Sequence, residues 1–261
     1  MDSGQTKSGQ KGKARGVNSL ATEVLSVVAK NSQLGETVRW SMLVDKFCDV
    51  VRAFEPDALV SFMAELRAIG VSNDEIAETL IPAAARKLGD RWCTDHLGFA
   101  DVTIGSARLQ SILRDLSTTG DVKIVRDDTA PAIAIAVRAD EHHTLGALVL
   151  AYHYRRQGIA VRVLLGRSDE EIAEVVQGGD FGALFISASS GVKLESLRNL
   201  VNLVQNGLHA APPIVVGGSL LESRKNAKTL TGADYATNDP AKALRLCGLT
   251  VPERTAPLVQ V

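Results

Sequence analysis

Two adjacent histidines, His142 and His143, directly follow the acidic residue Glu141. An imidazole ring needs partners for both of its nitrogens, so neighbouring histidines are poor material for an apolar core. We expect one of them to be a metal ligand or a base, held by Glu141 through a hydrogen bond to its other ring nitrogen. Gly146, in the first turn of the helix that follows, would let a bulky group approach the backbone. A solvated helix N-terminus is the alternative that these residues leave open.

Small and hydroxyl-bearing residues occur at two later places in the chain. Ser187–Gly191 reads Ser-Ala-Ser-Ser-Gly, and Gly217–Ser219 reads Gly-Gly-Ser. Neither place matches the glycine-rich motifs that bind phosphate groups. Because small side chains leave room, these segments are expected to border a deep slot. A slot beside a histidine suits a long ligand that carries a metal.

The pattern of apolar residues predicts the elements that position these segments. After residue 130, short apolar strands alternate with amphipathic helices, which predicts a parallel sheet with helices on both faces. Ligands of such sheets bind outside the carboxyl ends of the strands. The histidine, serine and glycine segments follow the first, third and fourth strands and should therefore meet at one edge. The predicted strands are Pro131–Val137, Ala160–Leu165, Ala183–Ser187, Pro213–Val216 and Asp234–Thr237.

The first half of the chain has a helical pattern instead. In Asp57–Ile69 apolar residues recur at steps of three and four, and Ser72 with Glu75 forms a capping box for the next helix. We therefore divide the chain into a disordered basic tail (1–18), a helical-bundle cap (19–120), a polar linker (121–129) and an α/β domain (130–261).

Composition excludes several classes of function. The net charge is −1, with 45% hydrophobic and 23% charged residues, which gives no reason to expect broad affinity for nucleic acid or membranes. No basic recognition helix is evident, so direct sequence-specific DNA binding is not expected. Three widely spaced cysteines without a CxxC pair argue against a disulfide framework or a zinc site and indicate a reducing compartment, the cytoplasm.

Taken together, the three segments resemble the signature of the cobalamin-binding domain family (Asp/Glu-x-His-x-x-Gly, Ser-x-Leu, Gly-Gly). The resemblance covers about residues 130–249 and implies a flavodoxin-like (Rossmann-like) parallel α/β domain. It implies that His143 is the lower axial cobalt ligand, in place of the cofactor's own base, and that His142 is a bystander. The residues that carry it are Glu141, His143, Gly146, Ser187, Ser189, Gly217 and Gly218.

The resemblance also assigns roles around the cobalt ligand. Glu141 becomes the hydrogen-bonding partner of the ligand, while Ser187, Gly217 and Gly218 line the pocket for the displaced base. Ser189 stands where the family usually has leucine, which weakens one wall contact of that pocket.

The helical half extends the resemblance. Ile81–Trp92 looks like the cap of methionine synthases and light-sensing cobalamin repressors, which implies that Trp92 covers the upper face of the corrin; a buried core tryptophan is the alternative. Adenosylcobalamin-binding repressors carry Glu-His where this chain has Val102 and Thr103. The segments Asp101–Gly105 and Arg108–Gln110 instead resemble the AerR/PpaA-type antirepressors of photosynthesis genes.

This resemblance implies a cobalamin-binding, light-responsive transcriptional regulator that is not an enzyme. It would act through a DNA-binding repressor of the CrtJ/PpsR type and favour hydroxocobalamin over adenosylcobalamin. One alternative is a corrinoid methyl carrier, although such carriers place a proton-relay hydroxyl near the position of Lys193. Another is a haem-binding redox sensor on the same fold, because histidine also binds iron.

Overall fold

The computed structural model describes residues 36–53, 55–119, 132–207 and 210–251. The predicted tail (1–18) and linker (121–129) lie outside these residues. The helical half consists of α1 (Glu36–Arg52), α2 (Pro56–Ala68), α3 (Asn73–Glu75), a π-helical turn (Ile76–Leu80), α4 (Ile81–Cys93) and α5 (Phe99–Thr119).

Local sequence signals explain where these helices begin. Pro56 is the first residue of α2, where its missing N–H costs no hydrogen bond. The predicted capping box is confirmed: the Ser72 hydroxyl accepts a hydrogen bond from Glu75 N, and the Glu75 carboxylate accepts one from Ser72 N. The helix continues as expected towards Trp92, but with a π-helical turn that the periodicity did not predict.

The apolar faces of these helices form one core. The rings of Phe47 and Phe62 stack with their centroids 5.5 Å apart. A Cβ atom added at Gly105 would lie 2.8 Å from Leu88 Cδ1, so α4 and α5 pack closely at this level. No helix in the described ranges is long and apolar enough to cross a membrane.

The second half is the predicted parallel sheet, with strand order β2-β1-β3-β4-β5. This is the flavodoxin-like order. The elements are β1 (Ala132–Arg138), α6 (Leu145–Arg156), β2 (Val161–Arg167), α7 (Asp169–Gln177), β3 (Phe181–Ser187), α8 (Leu194–Asn206), β4 (Ile214–Gly217), α9 (Leu220–Ser223), α10 (Ala227–Thr231), β5 (Tyr235–Ala236) and α11 (Pro240–Leu246).

Helix α6 has two apolar faces, and the structure assigns them to different partners. Ala147, Ala151 and Tyr154 are buried against the sheet. The other face packs against the core of the helical half: Leu145, Leu148, Val149 and Tyr152. Helix α6 therefore joins the two halves of the molecule, which periodicity within one helix does not reveal.

Candidate functional site

The loop after β1 is organised around the buried carboxylate of Glu141, which is 7% exposed. Its Oε1 accepts hydrogen bonds from His143 N at 2.9 Å and lies 2.7 Å from His143 Nδ1. Its Oε2 accepts a hydrogen bond from Ser189 N at 2.8 Å. The glutamate thus ties the histidine loop to the serine loop that follows β3, and its main-chain N–H is bound to the end of β1 at Arg138 O.

These contacts set the charge of Glu141 and the tautomer of a neutral His143. Burial raises the pKa of Glu141, but hydrogen bonds from Ser189 and His143 outweigh it and hold the pKa at about 2. As a carboxylate, Glu141 can only accept hydrogen bonds, so the proton of neutral His143 lies on Nδ1. The lone pair of Nε2 is then available, and the side chain is 81% exposed. An exposed imidazole in this tautomer could hold a metal ion through Nε2.

His142 is exposed in the same loop, where its carbonyl oxygen accepts a hydrogen bond from Thr144 N. The carboxylate of Glu141 contacts the ring of His143, which agrees with the prediction that His142 is the bystander.

An open cavity of 320 Å³ lies beside the histidine loop. Gly146 is exposed near this loop, and an added Cβ there would meet no protein atom within 4 Å. The packing of the described residues therefore does not require a glycine at this position. The cavity is lined by Asp140, Glu141, His142, His143, Ser189, Gly191, Val192 and Lys193.

The other predicted segments lie at the same sheet edge. Ser187 pairs with Gly217 in the parallel register of β3 and β4. Gly218 has φ +100°, and a Cβ there would lie 2.3 Å from Ala188 O. Gly218 is therefore required by the main chain of Ala188, in addition to any role towards a ligand.

Asn238 is a residue at this edge that sequence reasoning missed. Its Oδ1 accepts a hydrogen bond from Gly218 N at 2.7 Å, and its Nδ2 donates one to Gly218 O at 3.2 Å. Asn238 follows β5 in a loop, and no pattern in the sequence connects it with the glycine pair.

Trp92 lies in the last turn of α4 and is 49% exposed. The alternative interpretation as a buried core tryptophan is therefore wrong. On α5, Val102 is half-buried, and the Thr103 hydroxyl donates a hydrogen bond to Phe99 O at 2.8 Å. Val102 thus offers apolar surface, and the Thr103 hydroxyl already donates its one hydrogen bond to the main chain.

Contacts along α5 relate Trp92 to the histidine loop. Leu88 on α4 meets Gly105, and Gln110, further along α5, donates a hydrogen bond to Thr144 Oγ1 at 3.1 Å. Helices α4 and α5 are antiparallel neighbours, so Trp92, four residues after Leu88, faces α5 about four residues before Gly105. Gln110 lies about nine residues further along α5, which at about 1.5 Å per residue separates Trp92 from Thr144 by about 13 Å along the helix axes. The tryptophan of one half and the histidine loop of the other are thus separated along the length of α5.

Comparison with known proteins agrees with this geometry. The model of the B12 binding domain family matches residues 131–245. An uncharacterized 20.5 kDa protein from the bchF-crtJ intergenic region of Rhodobacter capsulatus is 34% identical over 175 residues, which are 67% of this chain and 91% of the relative. The monomethylamine corrinoid protein of Methanosarcina barkeri, at 16% identity, covers 79% of this chain and 97% of its own with a TM-score of 0.61, which supports the fold.

Proposed function

Because this chain belongs to the B12-binding domain family, we propose that it is a cobalamin-dependent transcriptional regulator that acts through a protein partner. In this proposal His143 is the lower cobalt ligand and the helical half is the cap over the cofactor. The chain would carry a signal and would catalyse no reaction.

The observation that carries this proposal is the hydrogen-bonded unit of Glu141, His143 and Ser189. The carboxylate holds the imidazole in the tautomer with a free Nε2, and the ring is exposed towards solvent. An added Cβ at Gly146 would meet no protein atom within 4 Å, so the chain leaves space there for a bulky group. Cobalamin would supply the cobalt centre that His143 Nε2 would hold.

The upper side of the site supports a preference for hydroxocobalamin. An adenosyl group carries polar atoms that need partners, and an unpaired buried polar group costs about 1–3 kcal/mol. Val102 has no polar atom to offer, and the Thr103 hydroxyl already donates to Phe99 O. A small upper ligand makes no such demand. Light would then act on the supply of the cofactor, by converting alkylcobalamins to hydroxocobalamin, the form that binds.

One observation, together with the resemblance, supports regulation of photosynthesis genes by an antirepressor mechanism. The relative from Rhodobacter capsulatus is encoded next to crtJ, and CrtJ/PpsR is the repressor type on which the resembled antirepressors act. We infer a partner of this type, with no direct sequence-specific contact between this chain and DNA. Cys48, Cys93 and Cys247 are free thiols, in keeping with the proposed cytoplasmic location.

The methyl-carrier alternative has weaker support. The likeness to a corrinoid protein at 16% identity concerns the fold alone. Lys193 lines the cavity beside the histidines, where methyl carriers would place a hydroxyl that relays a proton. An ammonium group cannot accept a proton, so it does not replace that hydroxyl.

The test combines a spectrum with a partner assay. Full-length protein is mixed with hydroxocobalamin in darkness, and the absorption spectrum should show histidine-coordinated cobalamin. Fluorescence anisotropy then measures the binding of a CrtJ-type repressor to its promoter DNA. Loaded wild-type protein should weaken the repressor–DNA complex, whereas His143→Ala should not. Equal effects of both proteins would contradict cobalamin control, and methyl transfer to a thiol acceptor would favour the carrier alternative.

A further inference from the structure

A cluster of polar side chains joins the cap to α6 away from the histidine loop. The Tyr152 hydroxyl donates a hydrogen bond to Asp74 Oδ1 at 3.0 Å, and Arg156 Nη1 lies 2.9 Å from Asp74 Oδ2. Arg156 Nε donates to Glu78 Oε1 at 3.1 Å, and His153 Nδ1 lies 2.9 Å from Glu78 Oε2. We call these five residues the cap anchor.

The cap anchor is partly shielded from solvent, which makes its geometry specific. The side chains of Glu78, His153 and Arg156 are each less than a third exposed. Burial, together with Asp74, raises the pKa of Tyr152 to about 12, so its hydroxyl remains a donor. Removing one partner of such a network leaves the other charges poorly compensated, so the arrangement fixes how the cap sits on α6.

The backbone of the cap departs from a regular α-helix at this contact. Glu78 lies in the middle of the π-helical turn Ile76–Leu80, and Asp74 lies in the preceding α3. Both carboxylates reach the same arginine on α6. Short π-helical segments are uncommon and are often found at functional sites. This irregular turn thus coincides with the charged contact between the two halves.

Helix α6 contacts the cap differently at its two ends. Near the histidine loop the polar contact is the neutral hydrogen bond from Gln110 to Thr144. The cap anchor begins at Tyr152, about 12 Å further along at 1.5 Å per residue. Hydrogen bonds between charged groups are stronger than neutral ones. Leu145, Leu148 and Val149 add apolar contacts to the cap at this end, without any ion pair. A group that enters between Trp92 and His143 would have to open these contacts, whereas the charged contacts at the far end of α6 lie outside its reach.

We propose that the cap anchor is the fixed end about which the cap turns when cobalamin binds, an inference that rests on the proposed function. The Trp92 end of the cap moves, while Asp74 and Glu78 keep their contacts with the side chains of α6. The cofactor thereby changes the surface of the cap without releasing it. A partner that recognises this surface then responds to the position of the cap.

Hydrogen exchange of the full-length chain, with and without hydroxocobalamin, tests the proposal. In the wild type, binding should alter exchange in residues 92–103 and leave residues 73–80 and 152–157 as protected as before. In Asp74→Asn/Glu78→Gln the latter two segments should exchange about tenfold faster in the loaded state. The cobalamin spectrum of this variant should stay that of the wild type, because His143 is untouched.

Glu65→Gln is the matched control, because Glu65 forms an equally shielded ion pair with Lys46 inside the cap, at 2.7 Å. Circular dichroism checks folding, and the single variant Glu78→Gln replaces the double variant if that does not fold. Loss of anchor protection in the loaded wild type, or a double variant that behaves as Glu65→Gln does, would overturn the pivot alone. A wild type without any cobalamin spectrum would overturn the proposed function and the pivot with it.

Discussion

Glu141 and His143 differ from Trp92 in how far their positions depend on a ligand. The first two are held by hydrogen bonds inside the α/β domain, from the main chain of His143 and Ser189. Trp92 is half exposed at the end of α4. A preorganised contact loses little freedom on binding, whereas an exposed side chain must be ordered by the ligand. Affinity should therefore come from the lower side of the site, and response from the upper side.

The strongest test of this comparison is His143→Ala. The variant lacks the imidazole that would bind cobalt through Nε2. Cobalamin affinity should therefore fall by more than about 100-fold, because loss of a residue that only hydrogen-bonds to a metal ligand costs about 10–100-fold. His142→Ala should bind nearly as the wild type does. Calorimetry with hydroxocobalamin measures both. Equal affinities for the two variants would show that the lower side does not dominate.

Glu141→Gln should have the next largest effect, about 10–100-fold in affinity, because the amide no longer holds the ring as a carboxylate does. Glu174→Gln, at an exposed position of α7, is the control and should change affinity little. An affinity of Glu141→Gln equal to that of Glu174→Gln would mean that orientation of the ring contributes nothing.

Glu141→Gln should also change how strongly acid destabilises the protein without cofactor. Folding lowers the pKa of Glu141 from 4.5 to about 2, so its contribution to the free energy of unfolding is complete above pH 4.5. That contribution is lost as the pH falls towards about 2. Urea unfolding at several pH values should therefore show a smaller acid-induced loss of stability in Glu141→Gln than in the wild type.

On the upper side, hydroxocobalamin should bind about tenfold more tightly than adenosylcobalamin in darkness, the cost of one polar group without a partner. The double variant Val102→Glu/Thr103→His introduces polar groups at the level of Trp92 and should narrow this ratio. Competition between the two cofactors measures it. A ratio of one in the wild type would contradict the proposed selectivity.

The smallest effect is expected for Trp92→Ala, about fivefold in affinity, because aromatic contacts contribute about 0.5–1.5 kcal/mol. Phe99→Ala removes a more exposed aromatic side chain nearby and serves as the control. Tryptophan fluorescence should be quenched by hydroxocobalamin in the wild type and much less in Trp92→Ala, where Trp40 remains. A loss of cobalamin affinity in Trp92→Ala as large as that in His143→Ala would show that the upper side contributes as much as the lower side.

The order of strands and helices was readable from the sequence because local patterns agree with the final packing. The capping box at Ser72 forms as its spacing predicts. Strand β1 is a continuous apolar segment up to Arg138, and it is buried between β2 and β3. The short helices α9 and α10 between β4 and β5 were not predicted, since segments of four and five residues carry too few apolar positions to show a period.

The candidate site was predictable in its members, and less so in their roles. The strand ends bring Glu141, Ser187 and Gly217 to one edge, as parallel connections require. The expectation that Gly218 mainly leaves room for a ligand was incomplete, because Ala188 O occupies the space of its side chain. Close main-chain contacts of this kind arise between loops far apart in sequence.

By itself the sequence determined the element order and the residues that could bind a metal, because periodicity and motif spacing are local properties of the chain. Only the tertiary structure distinguished His143 from His142 by physical contact, through the placement of a buried carboxylate between two loops. It alone decided that one face of α6 meets the cap and that Trp92 is exposed. These outcomes depend on which surfaces pack together, and a helix with two apolar faces does not specify that locally.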